Sequence, residues 1–245
     1  MSNYYTTRRM WIEKIPDDVV DQMAALYLDH FDGTSYTLFC NDLADKDEAI
    51  LLYCHEELCG FTVLKVFSDD WNGRRVRIVY SGDTIVAPQH WGQQSLAFAW
   101  IARVGEIKRE MPEYPLFWFL LVKGHRTFKY LSVFGKSFFP HWSEFRPDLK
   151  CLADQLAIKK FGSNYDANAG VVCFSESRGH LKCEIAEPTP EEMQRISTRF
   201  FMEKNPGYRL GHELVCLCEL ESPNMKPLAA RIFNKTSHAA GVDIS

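Results

Sequence analysis

The stretch Ile85-Val86-Ala87-Pro88-Gln89-His90-Trp91-Gly92-Gln93-Gln94-Ser95-Leu96 joins two segments with different hydrophobic patterns. The residues that lead into it, Arg75–Val86, are rich in β-branched side chains and are predicted to form a strand. The residues that follow, Gln93–Met111, carry apolar side chains at helical spacing and are predicted to form a long helix. Such a turn presents backbone N–H groups at the positive end of the helix dipole, which favours an anion such as phosphate. With one glycine in the turn, a simple connection is the alternative interpretation.

Before this turn, the sequence indicates an antiparallel meander. Three strand-like segments follow one another at Ala49–Cys54, Leu58–Phe67 and Arg75–Val86. Their links are short and polar, with Trp71-Asn72-Gly73 as a turn, and short links favour antiparallel pairing. Ser81-Gly82-Asp83 interrupts the third segment, and a glycine at such a place is typical of a β-bulge or of a close backbone approach.

The N-terminal segments flank this meander. Met10–Ile15 is predicted to be a short strand. A helix is predicted to begin at Pro16 and to reach His30, because proline and the two acids that follow it suit a helix N-terminus. Phe31–Ala44 is predicted to be a loop that leaves room for a second short helix.

After the long helix, strands and helices alternate. Pro115–Val122 is a continuous apolar run, as expected of a strand buried on both faces, and Gly124–Phe139 is predicted to be a helix. A meander followed by this alternation predicts a mixed α/β sheet. The later predicted elements are a helix at Pro147–Phe161, a pair of strands at Gly170–Ser175 and His180–Ala186, a helix at Pro190–Glu203 capped by Thr189, a strand at Glu213–Glu221 and a helix at Met225–Phe233. The last residues, 236–245, are predicted to be a flexible tail.

Composition excludes several classes of protein. The chain has 245 residues, of which 46% are hydrophobic and 24% are charged, with a formal net charge of −4. The hydrophobic and charged fractions exclude a disordered, collagen-like or coiled-coil chain. The net negative charge excludes a chain that is basic throughout, as many nucleic-acid-binding proteins are. The eight cysteines show neither a Cys-x-x-Cys pair nor zinc spacing, so we predict reduced thiols and no metal site, with a disulfide scaffold as the alternative. A polar N-terminus and the absence of a long apolar run predict a cytoplasmic protein without a membrane partner.

The motif Val86-x-Pro88-x-x-Trp91-Gly92-Gln93 resembles the acyl-CoA loop of the GNAT (N-acetyltransferase-like) acyltransferase superfamily. In that family a Val-x-Pro strand end precedes a Gln/Arg-x-x-Gly-x-Gly/Ala turn, which binds the pyrophosphate of coenzyme A. Gln89 and Gly92 match the first two fixed positions, whereas Gln94 replaces the second glycine or alanine, where a side chain would crowd the pyrophosphate. The resemblance therefore implies acyl-CoA as donor, held by Ile85, Val86, Gln89, Trp91, Gly92, Gln93, Gln94 and Ser95.

The order of elements resembles the same family. It implies an α/β (α+β) fold with a mixed, mostly antiparallel sheet and a V-shaped splay between the fourth and fifth strands. Residues 1–140 would form the GNAT-like core that binds the acyl donor. Residues 141–235 would complete the sheet and add a C-terminal elaboration that shapes the acceptor site, as one continuous unit with the core.

Two residues are candidates for proton transfer in the implied cleft. Asp83 lies beside the interruption of the fourth strand, where a carboxylate would bind or deprotonate an amine; an Asx turn that stabilises the bulge is the alternative. The family often has a tyrosine on the next helix that protonates the departing thiolate, and Tyr130 is the candidate, although Phe134 lies nearer the usual offset. The candidate substrate-binding residues are Tyr80, Ser81, Gly82, His125 and Arg126.

These inferences predict an acyltransferase that moves an acyl group from a thioester or an activated ester to an amine, most simply a small molecule. One alternative is a non-catalytic binding or regulatory module with the same fold. Another is an enzyme whose donor is an acyl carrier protein or an aminoacyl-tRNA. For the RNA, a local basic face would come from Arg74, Arg75, Arg77, Lys123, Arg126 and Lys129.

Overall fold

The computed structural model describes residues 4–235, and the predicted tail at residues 236–245 lies outside that range. The strands are β1 (Tyr5–Trp11), β2 (Phe31–Asp32), β3 (Glu48–Cys54), β4 (Glu57–Trp71), β5 (Arg74–Val86), β6 (Leu116–Val122), β7 (Tyr165–Asp166), β8 (Val171–Val172), β9 (His180–Leu181) and β10 (Glu213–Glu219). The α-helices are α1 (Asp17–His30), α2 (Tyr36–Ala44), α3 (Ser95–Glu110), α4 (His125–Phe134), α5 (Pro147–Phe161), α6 (Cys183–Ala186), α7 (Pro190–Met193), α8 (Ile196–Lys204) and α9 (Pro227–Phe233).

Eight of the strands form one sheet in the order β1-β3-β4-β5-β6-β10-β8-β7. The pair β5–β6 is parallel and the other neighbouring pairs of this sheet are antiparallel. The predicted mixed, mostly antiparallel sheet is therefore confirmed. The sheet continues past residue 140, because β10 pairs with β6 along Leu214–Glu219.

The predicted meander is present, and its two irregular positions have clear causes. Asn72 and Gly73 have φ values of 50° and 71°, the left-handed pair that a tight hairpin turn between β4 and β5 requires. Thr84 pairs with Thr62 and Ser81 pairs with Leu64, so Gly82 and Asp83 together face one residue of β4. This two-to-one arrangement is a β-bulge, at the place that the sequence indicates.

The splay lies directly beyond the bulge. Parallel pairing of β5 with β6 runs from Arg77 to Ser81 and ends there. The Trp118 indole N–H donates to the Ser81 hydroxyl at 2.8 Å, which fixes the last paired turn of the two strands. The later residues of β5 are unpaired on this side, and a small cavity opens between the strands. The V-shaped opening predicted between the fourth and fifth strands corresponds to this separation of β5 and β6.

Helices cover both faces of the sheet. Helices α1 and α2 pack on one face around Phe39 and Phe61, and α5 packs farther along the same face, against Phe117 and Phe119. Helices α3, α4, α8 and α9 cover the opposite face, where Trp100 contacts Trp118 at 4.4 Å between ring centroids. The central strands are consequently apolar on both sides, as the continuous apolar run before Lys123 indicates.

The predicted helix at Gly124–Phe139 is too long. Helix α4 ends at Phe134, and Gly135 has an extended backbone. The chain then runs beside β10, where Phe139 and Leu217 exchange two backbone hydrogen bonds of 2.7 and 2.8 Å. These tertiary bonds outweigh the local helical pattern.

The predicted pairing of the strands at 170–175 and 180–186 is wrong. Strand β8 pairs with β7 and β10, whereas β9 pairs with β2, and residues 183–186 form α6. The predicted helix at 190–203 is divided into α7 and α8, although Thr189 caps it as expected through a capping box with Glu192. The division is stabilised by Arg199, whose guanidinium donates to the carbonyl oxygens of Met193 and Gln194.

The first strand begins earlier than the predicted Met10–Ile15. Strand β1 pairs with β3 from Tyr5 opposite Cys54 to Trp11 opposite Glu48. Its side chains are mostly polar because it is an edge strand, so the apolar pattern marks its end better than its start. No helix within residues 4–235 has the length and apolar character needed to cross a lipid bilayer.

Gly105 provides a test of the contact between α3 and α9. A Cβ atom at this position would lie 2.1 Å from the Phe233 carbonyl oxygen. On helix propensity alone, Gly105→Ala would stabilise the protein by about 1 kcal/mol. We expect instead a loss of about 1–3 kcal/mol in the free energy of unfolding, measured by urea denaturation, because the two backbones must separate. A gain in stability would contradict the close packing of α9 on the core.

Candidate active site

A cavity of about 930 Å³ lies where β5 and β6 separate. Its walls come from α1 and α2, from the bulge of β5, from the residues around the starts of α3 and α4, and from C-terminal residues that include Phe161, Arg178 and Glu192. Residues far apart in the sequence thus meet at the position where the parallel strand pair opens. A concave site at such an opening is the usual place for a ligand in an α/β sheet.

Asp83 lies in this cavity on the bulge of β5. Its surroundings raise the pKa of the carboxyl to about 7, chiefly through burial and secondarily through the nearby Asp42 carboxylate, while Lys123 and Lys46 act in the opposite direction. A carboxyl with a pKa close to neutrality is suited to accept a proton at physiological pH.

Two ion pairs lie beside Asp83. Lys123 Nζ is 3.2 Å from Glu213 Oε1, and Lys46 Nζ donates to Asp42 Oδ2 at 2.7 Å. Burial disfavours the charged form of Lys123, but the Glu213 and Asp83 carboxylates outweigh it and raise the pKa of the amine. Lys123 therefore remains charged, and both lysines limit how far the pKa of Asp83 rises.

Tyr130 lines the same cavity, and also the small cavity between β5 and β6. Its ring stacks on Phe134 with 5.5 Å between centroids. Burial raises the pKa of the phenol, which keeps it protonated near neutral pH. Phe134, which lies nearer the offset usual in the family, has no hydroxyl and packs on Trp100.

The turn before α3 has the geometry expected of an anion-binding turn. Gly92 has a φ of +93°, which a residue with a side chain rarely adopts. The side chain of Gln93 accepts a hydrogen bond of 3.2 Å from the Leu96 N–H, and Gln94 precedes the helix with its own side chain on the cavity wall.

Trp91 and Arg126 form a stacked pair at the cavity wall. The Arg126 guanidinium lies 4.6 Å from the centroid of the Trp91 ring, and both residues line the cavity. His125 is buried beside them, with Nε2 at 3.3 Å from Glu192 Oε2. Burial, and then the charge of Arg126, lower the pKa of His125, so its ring is neutral near pH 7.

The remaining predicted site residues divide into two groups. Tyr80, Ser81, Gly82, Ile85 and Val86 line the cavity. The Ser81 hydroxyl already accepts a hydrogen bond from the Trp118 indole N–H, so its role is to hold β5 and β6 together. The predicted donor residues Gln89 and Ser95 do not line the cavity, because a short 3₁₀ turn at residues 88–90 leaves Gln89 exposed and Ser95 lies within the start of α3.

The lining residues that were not predicted from the sequence include His30, Asp42 and Glu213. His30 contacts two carbonyl oxygens through its ring nitrogens, Leu26 O at 2.7 Å and Val86 O at 3.1 Å, and so fixes the end of β5. These residues lie on α1, α2 and β10, and no local motif relates them to the bulge. The one sequence feature that could have indicated one of them is the acidic Glu213 at the start of β10, a strand whose interior is apolar.

The predicted basic face for RNA is not formed. Arg77 is buried at the start of the β5–β6 pair and donates to Ile107 O at 2.5 Å and to Glu110 at 3.0 Å. Lys123 follows the opposite end of β6, about 20 Å away along the strand. The two groups of basic residues thus lie at opposite ends of the β5–β6 pair.

Comparison with known proteins gives structural neighbours at low similarity. The sequence matches no family model and no curated protein. A probable N-acyltransferase of Enterococcus faecalis is 14% identical, with a TM-score of 0.42 over 55% of this chain and 33% of its own. A GCN5-related N-acetyltransferase of Kribbella flavida is 17% identical, with a TM-score of 0.39 over 54% and 34%. An Escherichia coli GNAT family N-acetyltransferase in complex with CoA is 17% identical, with a TM-score of 0.39 over 55% and 70%.

The chain thus spans about a third of the length of the first two of these structures. The fold has the features that the sequence predicted: a mixed, mostly antiparallel sheet with the meander, the bulge in β5 and the splay between β5 and β6. Which reaction the cavity supports is a separate question, answered from its own residues.

Proposed function

We propose that this protein is an N-acyltransferase that moves an acyl group from acyl-CoA to the amine of a small molecule. The observation that carries the proposal is the position of Asp83 and Tyr130 in one cavity at the opening between β5 and β6. A base and an acid at a strand opening large enough for two substrates are the minimum that direct acyl transfer needs.

The backbone of β5 supplies a site for the thioester carbonyl. The Ala87 N–H donates to Cys59 O at 2.9 Å, on the β4 side. Because N–H groups alternate in direction along a strand, the Val86 N–H points away from β4, to the side on which β6 has separated. A free donor there would stabilise the negative charge that develops on the carbonyl oxygen during attack.

Proton transfer follows from the two side chains. The amine nitrogen attacks the thioester carbon, the carbon–sulfur bond breaks, and the acyl group becomes an amide. Asp83 takes the proton that the amine releases, directly or through water, and Tyr130 donates its proton to the departing thiolate of CoA. Asp83 is suited to the first step because its pKa is close to 7, and Tyr130 to the second because burial keeps it protonated.

The C-terminal elaboration supports the choice of a specific acceptor. Lys160, Phe161, Phe174 and Arg178 line the cavity near Tyr80; Lys160 lies 4.7 Å from the Tyr80 ring centroid. These residues belong to or follow α5, outside the part of the chain that resembles the family core. Acceptor specificity therefore resides largely in this elaboration.

Binding of the donor tests the proposal. CoA and acetyl-CoA should raise the melting temperature in a concentration-dependent way, since a ligand of the folded state stabilises it by mass action. No shift at millimolar CoA would contradict a CoA enzyme. Binding without any acyl transfer would favour the non-catalytic module instead.

Gly92→Val should weaken binding of CoA by about ten-fold or more, because a β-branched residue cannot keep a φ of +93° without strain and the turn must rearrange. Isothermal titration calorimetry measures the Kd. Gly73→Val is the matched control, since Gly73 has a φ of +71° in the β4–β5 hairpin and does not line the cavity. Both variants should lose stability; a loss of CoA affinity as large for the control as for Gly92→Val would contradict the role of the turn.

A further inference from the structure

We propose that His30 carries a positive charge and stabilises the negative charge that develops on the thioester oxygen, an inference that rests on the proposed function. The site proposed for that oxygen is the Val86 N–H at the end of β5. Acyl transfer by Asp83 and Tyr130 does not use His30, although its ring is buried in the wall of the same cavity. The inference follows from the two atoms that this ring contacts.

Both ring nitrogens of His30 face carbonyl oxygens. Nδ1 lies 2.7 Å from the Leu26 oxygen, and Nε2 lies 3.1 Å from the Val86 oxygen. A carbonyl oxygen only accepts hydrogen bonds, and a neutral imidazole has a single N–H to donate. A neutral ring would therefore hold a nitrogen lone pair against an oxygen lone pair, in a side chain that is only 5% exposed. The doubly protonated ring donates to both oxygens and is the form that fits.

The position of His30 in the fold favours a cation. It is the last residue of α1, a 14-residue helix, and the C-terminal end of a helix dipole stabilises positive charge. Within residues 4–235 no carboxylate forms an ion pair with its ring. The charged groups that line the same cavity include Asp83 and the pair of Lys123 with Glu213, whose atoms are 3.2 Å apart. The charge of the ring is therefore not cancelled by a direct partner.

The Val86 backbone places this charge beside the proposed oxygen site. The Ala87 N–H donates to Cys59 O, so the N–H and the C=O of Val86 both point away from β4, into the opening. The Val86 carbonyl accepts from His30 Nε2 and, at 2.7 Å, from the Trp91 indole N–H. A thioester oxygen that accepts the Val86 N–H lies next to these two donors, because the N–H and C=O of one extended residue are adjacent on the same side of a strand.

His30 thus acts as a positioning residue, since its N–H groups bind protein oxygens rather than the substrate. It fixes the Val86 carbonyl and with it the direction of the neighbouring N–H. Its charge also lowers the free energy of the oxyanion, and a charge that is already in place needs no reorganisation during the reaction. Because the oxyanion exists only in the transition state and the intermediate, the effect falls on kcat rather than on the KM for the donor.

Nitrogen NMR of the histidine rings tests the charge on the wild-type protein. At the pH of the kinetic assay, ¹⁵N-labelled His30 should show two protonated ring nitrogens, assigned by their absence in a His30 variant. His141 is the internal comparison: its Nδ1 accepts from the Ser143 and Glu144 N–H groups at 3.2 and 3.1 Å, and burial lowers the pKa of its ring. It should therefore show one unprotonated nitrogen. A spectrum of His30 that matches that of His141 would overturn the inference.

His30→Gln should lower kcat for acyl transfer by about ten-fold or more and leave the KM for acyl-CoA within about two-fold. Glutamine keeps a side-chain N–H for the Val86 carbonyl but removes the charge, so a purely structural role would survive this substitution. His141→Gln is the matched control and should turn over like wild type, since His141 lies outside the cavity lining. A wild-type kcat in His30→Gln, or a rise in KM as large as the loss in kcat, would overturn the proposed role.

The failure of this inference can be distinguished from the failure of the proposed function. Wild-type protein that forms no amide with any amine contradicts the proposed function, and the role of His30 in it fails as well. Amide formation by wild type together with a neutral His30 ring, or with full kcat in His30→Gln, overturns the role of His30 alone.

Discussion

Asp83→Asn is expected to lower kcat for acylation of an amine by about 10²–10⁴-fold, the usual contribution of a general base. Asparagine keeps the size and polarity of the side chain but cannot accept the proton. Steady-state kinetics with acetyl-CoA and an amine, followed by release of CoA thiol, measure the effect.

The pH dependence of the rate tests whether Asp83 is the base. In wild type, activity should rise with pH through about 7, because Asp83 must be ionised to accept a proton and its pKa lies there. In Asp83→Asn that acid limb should disappear or move to the pKa of the amine substrate. A profile unchanged in shape, with its limb still near 7, would contradict the assignment and favour the Asx-turn alternative.

Stability provides the control for correct folding. Because burial raises the pKa of Asp83 above its ordinary value, its contribution to stability is greatest at low pH and declines as pH rises from about 4 to about 7. At pH 8 the folded protein must hold Asp83 as a buried, ionised carboxylate, which lowers its stability. Asp83→Asn removes that charge and should raise the free energy of unfolding at pH 8, by on the order of 1–3 kcal/mol. An inactive variant that is more stable than wild type cannot be explained by misfolding.

Tyr130→Phe is expected to lower kcat by about 10²-fold with little change in the KM for the donor, since the ring still stacks on Phe134 and only the proton donor is lost. A donor whose thiol is a better leaving group, such as an aryl thioester, should restore much of the rate because its thiolate needs no proton. Tyr114→Phe is the control, since Tyr114 lies outside the cavity lining.

A rate loss in Tyr130→Phe that the aryl thioester does not restore would contradict the acid role. It would indicate that the hydroxyl positions a substrate or supports the wall of the cleft. A loss of similar size in Tyr114→Phe would point to a general effect of removing a phenol hydroxyl.

The sequence predicted the central part of the fold well because its signals are local. The turn at Asn72-Gly73, the bulge at Gly82 and the apolar run of β6 each depend on residues that are neighbours in the chain. Asp83 and Tyr130 were predicted as candidates for proton transfer from the resemblance to the family, and both line one cavity. Their roles remain predictions that the variants above test.

The rest depends on contacts between distant segments. The length of α4 was overestimated because Phe139 bonds to Leu217 of β10, about 80 residues later in the chain. The restraint of Trp91 depends on Arg126 and, through it, on Glu192, and no spacing in the sequence joins these three residues. Asp42 was missed because its proximity to Asp83 arises from the packing of α2 on the sheet.

The most direct test of the account is a single reaction of purified protein with acetyl-CoA and a panel of primary amines, analysed by mass spectrometry for N-acetyl products. We expect at least one amide to form in an enzyme-dependent way, with an equal amount of free CoA and with almost no product from Asp83→Asn. Firm CoA binding without any amide product across the panel, or equal product from wild type and Asp83→Asn, would contradict acyl transfer at the opening between β5 and β6.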